Sequence, residues 1–203
     1  MSETLLSILT GEPWLWDPTE ANQITFNADG TGKLICAAEL NVWIAAEFNW
    51  KSQNPGSLAQ TIDITDNAPE SRSTLAQFNI ELTLTKRRIP KIGDADMQRY
   101  RINESLLTDG AFLPKMYTIK LEKGKFLTSF DARDPVKDSP MFAVRLVFDK
   151  SPYPSREEWK EPVGAPDAMK FWEWTEFCGR RLSENWGSSR GNIFSRIFDK
   201  ARS

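Results

Sequence analysis

Acidic side chains within and next to apolar segments are the residues best suited to chemistry in this chain. Glu39 and Glu47 interrupt the apolar run from 34 to 50, and Asp131 ends a later extended segment. A carboxyl group enclosed by apolar surroundings has a raised pKa and can act as a general acid or base. We therefore predict Glu39, Glu47 and Asp131 as candidate catalytic residues.

Aromatic and basic side chains on neighbouring extended segments supply candidate ligand contacts. An apolar body with a polar tip can orient one polar group of an otherwise apolar molecule. The candidate ligand-binding residues are Trp43, Trp50, Tyr100, Arg101, Tyr117 and Arg145.

The orientation of the segment 42–51 decides between two alternatives for Glu47. With strict alternation, one face of this strand carries Ile44, Ala46, Phe48 and Trp50, and the other carries Trp43, Ala45, Glu47 and Asn49. If the apolar face fills a barrel, Glu47 lies in solvent. If the barrel holds a ligand, Glu39 and Glu47 point inward. In segment 74–86 we expect the apolar face to point inward, and it carries Phe78, Ile80, Leu82 and Leu84.

The chain contains no histidine, which narrows the chemistry further. A Ser-His-Asp or Cys-His mechanism is excluded, as is a zinc or iron site with histidine ligands. The two cysteines, Cys36 and Cys178, are too few for a thiolate cluster. We expect both to be buried free thiols, and we expect neither a metal nor another cofactor.

Composition favours a single globular domain over residues 1–203. The 26 basic and 28 acidic residues give a net charge of -2, so no global field attracts nucleic acid. The first nine residues carry Glu3 where a secretory signal has positive charge, and no window reaches the about 20 apolar residues of a membrane span. We expect a cytoplasmic protein.

Alternating and apolar β-type runs predict an antiparallel up-and-down β-barrel over 11–150, a mainly β fold that follows a short helix at 2–9. Turn-forming pairs such as Lys123-Gly124 join neighbouring strands in opposite directions. The predicted extended segments are 23–27, 33–40, 42–51, 58–64, 74–86, 98–103, 116–122, 126–131 and 141–149.

A helical extension is predicted over 155–203, packed outside the barrel. Ser155 and Glu158 form a capping-box pattern at the start of a short helix. A second helix, capped by Asp167, would carry Phe171, Trp174, Cys178 and Leu182 on one stripe. The segment 193–198 predicts a third, amphipathic helix, which could bind a partner, a second copy of the chain or an anionic membrane surface.

The opening Gly11, Trp14 and Trp16, followed by a strand-rich meander and a helix, resembles the calycin superfamily of lipocalin-like proteins over about residues 11–185. In that family a glycine-x-tryptophan motif packs against an arginine on a late strand. Two residues separate Gly11 from Trp14 here, so either Trp14 or Trp16 could take that place, with Arg145 as its partner. The resemblance implies a barrel that carries a ligand.

Three functions remain open on the sequence. The leading one is binding of a small hydrophobic molecule inside the barrel. The alternative is a cofactor-independent cyclase or isomerase of a natural-product pathway, which needs only a held substrate and one acid or base. In the third, side chains fill the barrel and the protein is a partner-binding scaffold that uses residues 187–203.

Overall fold

The computed structural model describes residues 2–39, 41–64, 72–90 and 101–182. These residues form three short α-helices: α1 (Leu5–Thr10), α2 (Pro55–Leu58) and α3 (Ala165–Met169). Their strands are β1 (Ser2–Thr4), β2 (Trp14–Leu15), β3 (Gln23–Phe26), β4 (Thr31–Ala38), β5 (Asn41–Ser52), β6 (Thr61–Asp63), β7 (Ser73–Arg88), β8 (Lys115–Phe126), β9 (Phe142–Phe148) and β10 (Glu176–Arg181).

Eight of these strands close into an antiparallel barrel in the order β10-β2-β3-β4-β5-β7-β8-β9. The remaining two, β1 and β6, pair with each other as a separate ribbon. Every barrel strand therefore lies beside the barrel strands that precede and follow it along the chain. The predicted fold class, a mainly β antiparallel barrel with short helices, is confirmed.

Apolar side chains fill the interior of the barrel. An eight-stranded barrel is just wide enough for its own side chains to occupy the interior. A void large enough for water would leave accessible area on the side chains that line it, and the central inward residues have none. Those with 0% exposure are Ile24, Phe26, Leu34, Cys36, Ile44, Ala46, Phe48, Ile80, Ile119, Leu121, Val144, Leu146 and Phe177.

Both ends of the barrel are covered. At one end α1 buries Leu5, Ile8 and Leu9 against the core. At the other end the connection from β9 to β10, residues 149–175, contributes four aromatic side chains that contact one another, and the Tyr153 hydroxyl donates to the Ile35 carbonyl at 2.7 Å. These side chains are Tyr153, Trp159, Phe171 and Trp174.

The barrel closes at a narrow seam between β2 and β10, where Leu15 is paired with Cys178. On the inner side the Trp14 ring lies against Gly179, where a Cβ atom would be 3.0 Å from the ring. Residues 127–134, which we call the strap, bridge the seam: the backbone N–H of Phe130 donates to the Trp16 carbonyl at 3.2 Å. The Ser129 hydroxyl donates to the Glu176 carbonyl at 3.0 Å.

The helix predicted through 171–182 is wrong, because residues 176–181 form β10 and complete the barrel. The barrel therefore extends beyond the predicted boundary at residue 150. Helical spacing of aromatic residues misled the prediction, since the segment lies between two edges that both need a partner, those of β9 and β2. The capping box at Ser155 and Glu158 is confirmed, on a short 3-10 turn.

Other element boundaries also differ from the prediction. The N-terminal helix begins at Leu5, capped by Thr4, because Ser2–Thr4 pairs with β6. The segments 116–122 and 126–131 are not a hairpin, since β8 runs through to Phe126 and remains paired with β9. Residues 98–100 of the predicted segment 98–103 and the helix predicted at 193–198 lie outside the described residues.

Asn103 supports the β5 backbone in place of a neighbouring strand. It is fully buried with a left-handed backbone (φ 51). Its side-chain oxygen accepts from the Ala45 N–H at 2.8 Å, and its amide donates to the Ala45 carbonyl at 2.9 Å. These two bonds to Ala45 are the pair that a residue of a neighbouring strand would make. They lie next to the register shift between Ala46 and Phe48.

Replacing Gly32 with alanine should destabilise the fold strongly, because the new Cβ would overlap the Phe48 ring and the Thr25 carbonyl. We expect a loss of about 3 kcal/mol in the free energy of unfolding, measured by urea denaturation with tryptophan fluorescence. The matched control is Gly56→Ala, whose Cβ would make an ordinary contact at 3.4 Å. Equal stability of the two variants would contradict this account of the barrel packing.

Candidate functional site

The three candidate catalytic carboxylates lie in different places. Glu39 is exposed in the turn that follows β4, with φ 52. Glu47 lies on the outer wall, where it forms a 2.7 Å ion pair with Arg87. Asp131 is a buried residue of the strap. The apolar face of β5 thus fills the barrel, and of the two alternatives for Glu47 the structure shows the outward one.

The candidate ligand-binding residues are not brought together at one site. Trp50 and Tyr117 belong to the core, with the Trp50 indole N–H donating to the Asn27 and Thr31 carbonyls at 3.1 and 3.0 Å. Trp43 is half-buried and lies edge-on to Trp159. Two further candidates are Arg101, which is exposed and paired with Glu161, and Tyr100, which lies outside the described residues.

Arg145 lies on the outer wall, and its partners are not tryptophans. Its guanidinium bridges Glu122 at 2.7 Å and Glu176 at 2.6 Å, and its central carbon lies 4.6 Å above the Phe126 ring. The expected pairing with Trp14 or Trp16 does not form: Trp14 is enclosed in the core, and the guanidinium beside the Trp16 ring is that of Arg133. Cross-strand neighbours explain this, because Arg145 is opposite Glu122 on β8. The contacts of Arg145 stabilise the wall.

Both cysteines are buried free thiols, as predicted. Burial raises the pKa of Cys178 to about 12, an effect that the nearby Arg145 opposes and that Glu176 and Asp131 increase. Burial alone raises the pKa of Cys36. Neither thiol is a nucleophile at neutral pH, because the thiolate is the reactive form.

The described residues contain no group of three or more histidine, cysteine, aspartate or glutamate side chains placed to hold a metal ion. None of their helices is long and apolar enough to cross a membrane.

A surface groove of about 230 Å³ lies at the barrel end covered by residues 149–175. We call it the rim groove. The loop from β2 to β3, the end of β4, the strap and α3 all contribute to it. Its principal lining residues are Trp16, Asn22, Ala38, Glu39, Phe130 and Met169.

Aromatic contacts build the apolar side of the rim groove. Trp16 stacks on Trp174 with ring centroids 3.4 Å apart and an angle of 9° between the planes. Phe130 contacts Trp16 edge-on at 5.9 Å, yet it is 51% exposed. The Arg133 guanidinium lies 5.1 Å from the Trp16 ring. The phenyl ring of Phe130 is thus held in place by neighbours that do not cover it.

Asp17 shapes the loop that forms one wall of the groove. One of its carboxylate oxygens accepts from the Thr19 and Ala21 N–H groups, and the other accepts from the Asn22 N–H at 2.7 Å. Asp17 is buried. These bonds satisfy the carboxylate internally, and they position Asn22.

Comparisons with protein-family models, curated proteins and solved structures found no match to this chain. The closed eight-stranded antiparallel barrel is compatible with a lipocalin-like fold. Membership of the calycin superfamily is not shown.

Sequence reasoning named only part of the rim groove. It singled out Glu39 as a carboxylate and Trp16 as a barrel plug, and it missed Phe130 and Asn22. No periodicity marks these two residues, because they lie in connections between strands. A short turn-rich loop next to tryptophan is the one available signal, and it does not specify a site.

Arg145→Gln should cost about 3 kcal/mol in the free energy of unfolding, because it leaves Glu122 nearly buried without its main cation. Arg101→Gln is the control, since it removes an ion pair whose side chains are 61% and 72% exposed. We expect that control to change stability by less than about 0.5 kcal/mol. Chemical denaturation measures both, and a loss in the control as large as in Arg145→Gln would contradict the assigned role.

The raised pKa of the buried Cys178 thiol predicts a loss of stability at alkaline pH. Above about pH 8.5 the unfolded chain releases its thiol protons, whereas the folded chain keeps that of Cys178 until about pH 12. The folded state then binds more protons than the unfolded state, so the free energy of unfolding falls as pH rises. Cys178→Ala should reduce this slope in denaturation curves measured between pH 7 and 10.

A thiol reagent provides an independent measurement. At pH 8 the native protein should leave both cysteines unmodified, and unfolding in denaturant should release two reactive thiols per chain. Rapid modification of the native protein would show that the thiols are not buried as described.

Proposed function

We propose that this protein binds a small apolar molecule in the rim groove and not inside the barrel. The observation that carries the proposal is the half-exposed Phe130 ring, fixed against Trp16 at the mouth of a depression whose other apolar residues include Ala38 and Met169. Exposed apolar rings that line a concave surface are typical of binding sites. The filled core supports an outer site, because inward residues such as Phe48 leave no space beside them.

The size of the groove limits its ligand. Its volume of about 230 Å³ lies below the range of about 300–1,000 Å³ for sites that enclose drug-sized molecules. A bicyclic molecule of about ten heavy atoms, or one end of a longer molecule, fits this space. Burying about 60 Å² of the Phe130 ring under such a ligand would contribute roughly 1.5 kcal/mol.

Cyclase or isomerase chemistry has weaker support. Of the three predicted catalytic carboxylates, Glu39 lines the rim groove, and it is exposed. Its left-handed backbone is the one required by a tight hairpin turn and is not a sign of stored strain. Binding without turnover needs no such group, so a ligand recovered chemically unchanged distinguishes the two functions.

Phe130→Ala should weaken binding of indane, a small bicyclic hydrocarbon, about tenfold, because it removes the exposed wall of the groove. Titration followed by tryptophan fluorescence measures the dissociation constant, since Trp16 and Trp174 adjoin the site. The variant keeps the backbone N–H that bridges the seam.

Val136→Ala is the matched control. It removes an apolar side chain that is 69% exposed in the same β8–β9 connection, and it should bind indane like the unmodified protein. If indane does not bind up to its solubility limit, or if both variants bind it equally well, the rim groove is not the binding site.

A further inference from the structure

Two side chains that line the rim groove carry hydrogen-bond donors without a partner among the described residues. The Trp16 indole N–H and the Asn22 side-chain NH₂ group make no hydrogen bond to any residue that the structure describes, and neither nitrogen is sealed from solvent. The residues themselves are 1% and 5% exposed, so little else of either side chain reaches solvent. Both residues line the groove.

The orientation of the Asn22 amide follows from its surroundings. Its side-chain oxygen accepts from the Ala37 N–H at 2.7 Å, so the NH₂ group occupies the other position. The backbone N–H of Asn22 donates to the Asp17 carboxylate at 2.7 Å, and the Asn22 carbonyl accepts from the backbone N–H of Trp16 at 2.9 Å. Hydrogen bonds to both the side chain and the backbone of Asn22 therefore hold its NH₂ group in place.

Trp16 differs from the other buried tryptophans. Each of the others donates its indole N–H to a backbone carbonyl, as buried donors normally do. These are Trp14 to Leu9, Trp50 to Asn27 and Thr31, Trp159 to Pro154, and Trp174 to Met169. The Trp16 indole N–H makes no such bond to any of the described residues.

We infer that the rim groove selects a neutral molecule whose apolar body carries a hydrogen-bond-accepting oxygen, such as a ketone, an ester or an amide. A carbonyl oxygen has two lone pairs and can accept up to two hydrogen bonds. This assignment rests on the proposed function and adds the chemical class of the ligand.

The charges around the groove favour a neutral ligand over an anion. The carboxylates of Asp17 and Glu39 both line it, against the single guanidinium of Arg133 beside Trp16. An anionic ligand would bring a third negative charge near two existing ones. The two donors in turn disfavour an ammonium group beside them, because that group offers hydrogens and no acceptor.

The test compares 1-indanone with indane, which share a ring system and differ by one carbonyl group. Trp16→Phe removes the indole N–H and keeps an aromatic ring, and Trp172→Phe is the control because Trp172 does not line the groove. We expect the ratio of the indane to the indanone dissociation constant to fall about fivefold in Trp16→Phe, the effect of one hydrogen bond. The control should leave this ratio unchanged.

Nuclear magnetic resonance of the unmodified protein gives a second readout that does not require the variant to fold. The Trp16 indole proton should shift downfield with 1-indanone and not with indane, as it gains an acceptor. The anion indane-1-carboxylate should bind at least tenfold more weakly than 1-indanone.

The outcomes distinguish an error in the chemical class of the ligand from a failure of the proposed binding function. If indane binds in a Phe130-dependent way but the indole proton does not respond to 1-indanone, the groove is confirmed and the acceptor selectivity is overturned. If the carboxylate binds as well as the ketone, the assignment of a neutral ligand is wrong. If neither neutral compound binds, the proposed function itself fails.

Discussion

The width of an eight-stranded barrel is the constraint on which the rest of this structure depends. Inward side chains from eight strands meet near the axis, and here they include large aromatic residues such as Phe26 and Phe48, whose rings meet at 5.4 Å. A core packed in this way has the density of an organic crystal and no room for a guest. A ligand of this protein would therefore have to bind at an end of the barrel or on its outer surface, and α1 covers one of those ends.

Alternation along the strands is the part of the fold that the sequence predicts well. For β5 the alternation separates the two faces correctly and leaves their orientation open, whereas for β7 the inward face that carries Phe78 to Leu84 is predicted and confirmed. Which side chains of a strand share a face depends only on their positions along that strand, because a period of two is a property of the strand itself. The barrel class follows from many such segments joined by short turns.

Features that depend on distant partners escaped prediction. β10 has the spacing of a helix, and only the unpaired edges of β9 and β2 make it a strand. The partners of Arg145 come from register, which sets Glu122 opposite it. Asn103 replaces a strand neighbour for Ala45 across 58 positions of sequence. Each of these is decided by tertiary context, which overrides local preference.

The rim groove could not be predicted for the same reason: its walls come from four connections that the fold brings together. The candidate site could be predicted only in part: Glu39 and Trp16 stood out by residue type, whereas the unpartnered state of a donor is a property of the folded chain. A buried asparagine or tryptophan looks the same in the sequence whether its N–H is satisfied or not.

Closure of the seam and formation of the groove are linked through the strap. Since β2 contributes only two residues, the strap supplies further hydrogen bonds across the seam, and one of them comes from the backbone of Phe130 to Trp16. The same residue then presents its ring at the groove, 5.9 Å from the indole it helps to fix. A ligand seated there would contact both Trp16 and Phe130, so its binding energy would also hold the strap on the seam. Binding at the rim and closure of the barrel would thus stabilise each other, as linkage requires of a ligand that binds only the closed form.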